Sequence, residues 1–179
     1  MIHTSSVSPG RKVNCTEVLK RYPVERYGDQ KSKSTGVYKG KQSHHVIQNS
    51  HFQSPRGTTV PGICKNYTED DAPCIPLLDG TNTKTEHGRV SKMQKADGKR
   101  YRARNSNPTY AEARQDAKNQ LTAKPKPGLS EPEAECILKK VDASFRKMCG
   151  RQIAKQQIRA PGSRKAWKPT RTRPTRRSA

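Results

Sequence analysis

Five histidines stand among the 179 residues of the chain, and two of them, His44 and His45, are adjacent. Breaking a phosphodiester bond needs a divalent cation to offset charge on the phosphate and the leaving oxygen. It also needs a base of near-neutral pKa to take a proton from water. Two neighbouring imidazoles can divide those jobs. In a strand, consecutive residues face opposite sides, yet at a strand end entering a loop both rings can reach one cleft. A further metal ligand must come from elsewhere, and His87, in the first turn of a helix, is placed to supply it. His51 lies six residues beyond the pair and lines a loop, and His3 is assigned no role. A His-His pair taken alone is more often surface than site. The order of the surrounding elements, the third histidine and the charge of the chain reverse that reading.

The elements that must position these rings can be read in part. β-Branched Val46 and Ile47 follow the pair after a glycine-containing approach at Gly36 and Gly40, which predicts a strand around residues 43–48. A second short strand is expected over Cys74–Leu78, at an edge or bulged, because Pro76 costs a ladder hydrogen bond. Three helices follow, each opened by a hydroxyl residue with Glu three positions later: Thr83 with Glu86, Thr109 with Glu112, and Ser130 with Glu133. The first carries His87, Val90 and Gln94 and is expected to stop at Asp97-Gly98. The second places Tyr110, Ala113, Ala117 and Leu121 on one face; the third carries the stripe Ala134, Ile137, Leu138, Val141, Phe145 and Met148. Strand, strand, helix, with histidines on the first strand and the helix, is the ββα-metal arrangement. The fold class expected is therefore α+β, a small ββα-metal core with additional C-terminal helices and a disordered basic tail.

Composition limits the rest. With 29% apolar residues, a core running the whole length cannot be assembled, so part of the chain is expected to be linker or tail. The expected division is a leader or linker over 1–41, one domain over 42–150 and a tail over 151–179. Lys and Arg number 37 against 15 Asp and Glu, and the resulting charge of +22 attracts polyanions, nucleic acid above all. The tail holds ten of those cations and no acid, with Trp167 between Lys165 and Lys168 either stacking on a base or simply solvated. The five cysteines form no Cys-x-x-Cys pair, which argues against a structural zinc module. Their odd count argues against a disulfide framework, so buried thiols are expected, with Cys64–Cys74 the alternative pair. No apolar run has the length of a signal peptide or a membrane span, so no membrane partner is expected.

Ser43-His44-His45-Val46-Ile47-Gln48-Asn49, the loop ending Asp71-Ala72-Pro73, Glu86-His87-Gly88-Arg89 and Thr109-Tyr110-Ala111-Glu112-Ala113-Arg114 resemble the Ser-His-His class of polymorphic-toxin nucleases in the HNH/endonuclease VII superfamily. The resemblance covers about residues 42–149. It implies that His45 is the general base, that His44 and His87 are ligands of a divalent metal ion of the Mg, Mn, Zn or Ni class, and that DNA, or else RNA, is cut. The superfamily's base-orienting Asn has no clear counterpart: Asp71 is the first candidate and Asn66 the second. Arg89 either holds a phosphate oxygen near a helix N-terminus or is a surface arginine. Family members are C-terminal toxin modules of secreted effectors, delivered into the target-cell cytoplasm and neutralised by a cognate immunity protein, here expected to be acidic. The alternative is a non-enzymatic basic nucleic-acid binder in which the histidines are incidental.

Overall fold

A computed structural model of the chain describes residues 13–80 and 84–163. The chain is α+β, as expected. Three short strands, β1 (Glu25–Arg26), β2 (Lys41–His45) and β3 (Pro73–Leu78), form an antiparallel sheet in the order β1-β3-β2. Five helices surround it: α1 (Cys15–Arg21), α2 (Tyr27–Gln30), α3 (Glu86–Ala103), α4 (Tyr110–Thr122) and α5 (Glu131–Cys149). In the β2–β3 ladder Lys41 faces Leu78 and His45 faces Cys74. β3 is central rather than at an edge, but β1 reaches only Pro73 and Cys74, so at Pro76 that side of β3 has no neighbour to miss an N–H.

Residues 73–77 of β3 are all buried, and α5 packs across them with Ala134, Ile137, Leu138, Val141 and Phe145 at 0% exposure. That stripe follows the helical period read in the sequence. Phe145 stacks on Phe52 with ring centroids 5.1 Å apart and meets Tyr110 edge-on at 5.3 Å, tying α4 and the loop beyond β2 to one aromatic centre. The capping boxes at Thr109–Glu112 and Ser130–Glu133 are both formed.

Helix α3 departs from expectation at both ends. Its N-cap is Thr85, whose hydroxyl accepts from the Gly88 N–H; Thr83 lies outside the described residues. Glu86 is therefore free for another task and accepts from the Leu78 N–H and the Tyr22 hydroxyl, both at 2.8 Å, fastening the start of α3 to the end of β3. The helix also runs through Asp97-Gly98 to Ala103. Gly98 is a contact residue, not a stop: a Cβ there would stand 3.3 Å from the Pro161 carbonyl oxygen and 3.4 Å from its Cβ.

The expected domain boundaries at 42 and 150 fall inside the packed unit. Val18 of α1 and Tyr22 join the core from one side, and Ile153 and Ile158 from the other. The chain beyond α5 docks through backbone bonds, Tyr110 N to Gln156 O at 2.9 Å and Ile158 N to Pro108 O at 2.8 Å. Charge density misled here, since two isoleucines spaced through a basic stretch suffice to bury it. The part of the tail from 164 onward, with Trp167, lies outside the described residues. Two disulfides, Cys15–Cys136 and Cys64–Cys149, correct the expectation of free thiols and of a Cys64–Cys74 pair. Cys74 is the spare, buried in β3. Separations of 121 and 85 residues hid both bridges from any local spacing rule.

His51 anchors the docked segment. Its ring Nδ1 lies 2.7 Å from the Arg159 carbonyl oxygen, and the Arg159 N–H returns a bond to the His51 carbonyl at 3.2 Å. Burial pushes its pKa down to about 4, against the opposing pull of the Arg159 carbonyl and Asp116. Above the ordinary value of 6.5 the ring is neutral folded or unfolded. Between 6.5 and about 4 only the unfolded chain takes the proton, so stability falls as pH falls through that window, by roughly 3 kcal/mol. Urea unfolding at pH 7 and pH 4.5 should show this loss. His51→Gln, which keeps an N–H for Arg159 but cannot titrate, should show a smaller pH dependence, and an unchanged slope would assign the effect to another group.

Candidate active site

A cleft of 360 Å³ opens where β2 ends and α3 begins, and it contains the three histidines singled out in the sequence. His44 is 5% exposed and its ring meets that of His87 at 80°, with centroids 5.4 Å apart. His45 faces the other way along the strand alternation and lies on Tyr27, centroids 4.6 Å apart. The strand ends at His45, and Val46 and Ile47 turn inward to the core, so both rings line one cleft despite their opposite directions.

His45 has one open nitrogen: Nε2 is buried with no hydrogen-bond partner, while the Glu69 backbone acts on the ring from nearby. Burial holds its pKa below the ordinary histidine value. Glu69 opposes this through its charge and its backbone bond, and Arg56 reinforces it. The neutral ring carries a lone pair, the state a general base requires. Glu69 is itself gripped by Arg56, whose Nε donates to it at 3.0 Å and whose terminal nitrogen makes a second bond.

His44 is neutral as well: burial, then the neighbouring His87 and His45, push its pKa down to about 3. An amide N–H of Gln94 donates to His44 Nε2 at 3.0 Å, which places the ring proton on Nδ1, and the same amide nitrogen reaches the His45 carbonyl at 3.3 Å. Gln48 in turn donates to the Gln94 backbone carbonyl at 3.4 Å. On α3, His87, Ser91 and Gln94 lie four and three residues apart and share the cleft-facing side. The rim is fixed by Asn49, which accepts from the Tyr67 hydroxyl at 2.7 Å and donates to Gln53 at 3.0 Å.

The other expected site residues are not brought here. Asp71 does not line the cleft: it pairs with Arg26 at 2.6 Å and Thr68 at 2.6 Å on the surface. Asn66 is exposed and lines nothing in it. The group that acts on the His45 ring from the loop side is instead Glu69, through its charge and its backbone. Arg89 is absent from the cleft because two helical residues carry it about 200° around α3 from His87, and its Nε is buried without a partner. Glu69, Arg56, Tyr27 and Gln94 went unread in the sequence as site residues.

The donors fit a metal in part. Two imidazoles that share one tetrahedral ion, each with a metal–nitrogen bond near 2.1 Å, have ring centroids about 5.3 Å apart, close to the separation of His44 and His87. Among the described residues no group of three or more His, Cys, Asp or Glu is arranged to hold an ion.

A strand pair followed by a helix, with the histidine pair closing the first strand and a third histidine opening the helix, makes the ββα arrangement. Residues 38–146, more than half of the chain, match the family described as HNH/Endo VII superfamily toxin with a SHH signature. The chain belongs to that family, and the matched span contains Ser43-His44-His45 on β2. No curated protein and no solved structure matches the chain. Membership makes it a nuclease toxin acting on nucleic acid. No described helix is long and apolar enough to cross a membrane.

Proposed function

We propose that this chain is a metal-dependent endonuclease that hydrolyses phosphodiester bonds of DNA with little sequence preference. The observation that carries this is the unpartnered Nε2 of a neutral His45 beside a pair of imidazoles in one cleft. His45 takes a proton from a water molecule as the water oxygen bonds to phosphorus and the bond to the leaving 3′-oxygen breaks. The Glu69 backbone keeps the ring in the tautomer that exposes the lone pair. Tyr27 limits how far the ring can swing. His44 and His87 would hold a divalent ion of the Mg, Mn, Zn or Ni class, which supplies positive charge against the phosphate and the leaving oxygen. The charge of +22 supplies most of the substrate affinity without reading sequence.

Purified protein incubated with plasmid DNA and with RNA, with and without EDTA, tests the proposal. Cutting of DNA that stops on chelation is expected. Cutting of RNA alone would move the substrate, and retardation of either without cutting would favour a basic nucleic-acid binder.

The same reading makes the chain the toxin module of a secreted effector delivered into the target-cell cytoplasm, with an acidic immunity protein as its inhibitor. The chain's net charge of +22 gives an acidic partner on-rate, and a partner seated over the cleft would exclude DNA. Expression in a bacterial host should arrest growth with loss of DNA, relieved by His45→Ala or by the neighbouring reading frame. Harmless expression of folded protein that is active in vitro would remove the need for an inhibitor.

A further inference from the structure

Two imidazoles leave an ion one protein donor short, and the group hydrogen-bonded to His44 Nε2 is neither an acid nor a histidine. It is the Gln94 carboxamide, whose nitrogen stands 3.0 Å from His44 Nε2. Gln94 follows His87 by two helical turns on the same side of α3, and helical side chains lean toward the N-terminus, so it reaches back along the cleft toward His87. Two donors each about 2.1 Å from one ion, at mutual angles between octahedral and tetrahedral, stand roughly 3.0–3.4 Å apart. A half turn of the amide about its Cγ–Cδ bond exchanges Nε2 for Oε1 at the same spacing from His44. The turn gives up only the long 3.3 Å bond to the His45 carbonyl, since the His44 lone pair passes to the ion.

We propose that Gln94 is the third protein ligand of the metal site, through Oε1, alongside His44 and His87. In the metal-free protein the same amide, presenting its N–H, caps the His44 lone pair and holds the ring in the tautomer the ion needs. The inference rests on the metal-binding reading of His44 and His87 given above. It deepens that reading by naming a residue outside the histidine signature.

Calorimetric titration of the metal-free protein with Mn²⁺ and Zn²⁺ tests it, on wild type, Gln94→Ala, Gln94→Glu and His44→Ala. Gln94→Ala should bind at least tenfold more weakly, and Gln94→Glu, which keeps an oxygen donor but loses the N–H, at least as tightly as wild type. Gln94→Ala should also alter the visible absorption of the Co²⁺ complex, which a residue outside the coordination sphere leaves unchanged. Unchanged or tighter binding in Gln94→Ala overturns the proposal and makes the amide a mere competitor for His44. Binding in Gln94→Glu as weak as in Gln94→Ala also overturns it, assigning Gln94 the role of N–H donor only. If these Gln94 results come with loss of binding in His44→Ala, only the role of Gln94 falls. If wild type binds no metal, or His44→Ala binds as well as wild type, the metal reading itself falls with it.

Discussion

His45→Ala should lose cleavage by a factor of about 10²–10⁴, the usual span for removal of a general base, while folding and DNA binding stay nearly as they are. The structural reason for the separation is that His45 sits at the cleft wall, not in the hydrophobic core. On the proposed reading, substrate affinity comes mainly from the chain's 37 cations, and none of them is lost. His44→Ala and His87→Ala should differ in kind, lowering metal affinity along with the rate. His44 is also the more buried ring, so its truncation should cost stability that His45→Ala does not. Single-turnover cleavage with parallel metal calorimetry separates the two patterns. Metal binding that survives in both ligand variants would remove His44 and His87 from the site.

Ending the chain at residue 150 should abolish folding, and activity with it, whereas ending it at residue 163 should leave both intact. The first cut removes Ile153 and Ile158, at 1% and 0% exposure, together with the bonds to Pro108, Tyr110 and His51. Losing a buried isoleucine side chain costs roughly 2–5 kcal/mol, and two of them approach the whole stability of a small domain, about 5–15 kcal/mol. The cut also opens the His51 clamp beneath the cleft rim. The second cut removes seven Lys and Arg beyond the docked segment and none of its buried isoleucines. DNA affinity should then fall and its salt dependence flatten with cleavage preserved. Near-ultraviolet circular dichroism and urea unfolding of the two truncations decide the matter. A cooperative transition in the chain ending at 150 would put the domain boundary back where composition suggested it.

How much could be read from the sequence follows the range of each signal. The capping boxes of α4 and α5, the apolar stripe of α5 and the His-His pair are local patterns, and the structure has them as read. The start of α3 was misassigned because Thr83 and Thr85 both precede it and Glu86 is consumed by Leu78 and Tyr22, a tertiary demand that no local rule contains. Gly98 looked like a helix stop because its neighbour Pro161 is 63 positions away in the chain. Glu69 acts on the His45 ring partly through its backbone, which no side-chain pattern marks, whereas Asp71, two positions on, pairs with Arg26 and Thr68 at the surface. Both disulfides join residues that only the folded α5 brings to their partners. Gln94 had a legible signal, its seven-residue spacing from His87. It drew no notice because glutamine is an uncommon metal donor beside histidine and cysteine.

Chemical rescue tests the role of His45 most directly. Cleavage of a labelled DNA duplex is followed under single-turnover conditions, with metal present, for wild type, His45→Ala and His45→Ala supplied with free imidazole. The expected result is cutting by wild type, cutting slowed about 10²–10⁴-fold in the variant, and partial return of the rate as imidazole takes the vacated place beside Tyr27 and Glu69. Cutting by His45→Ala at the wild-type rate without imidazole would contradict the assignment of His45 as the base.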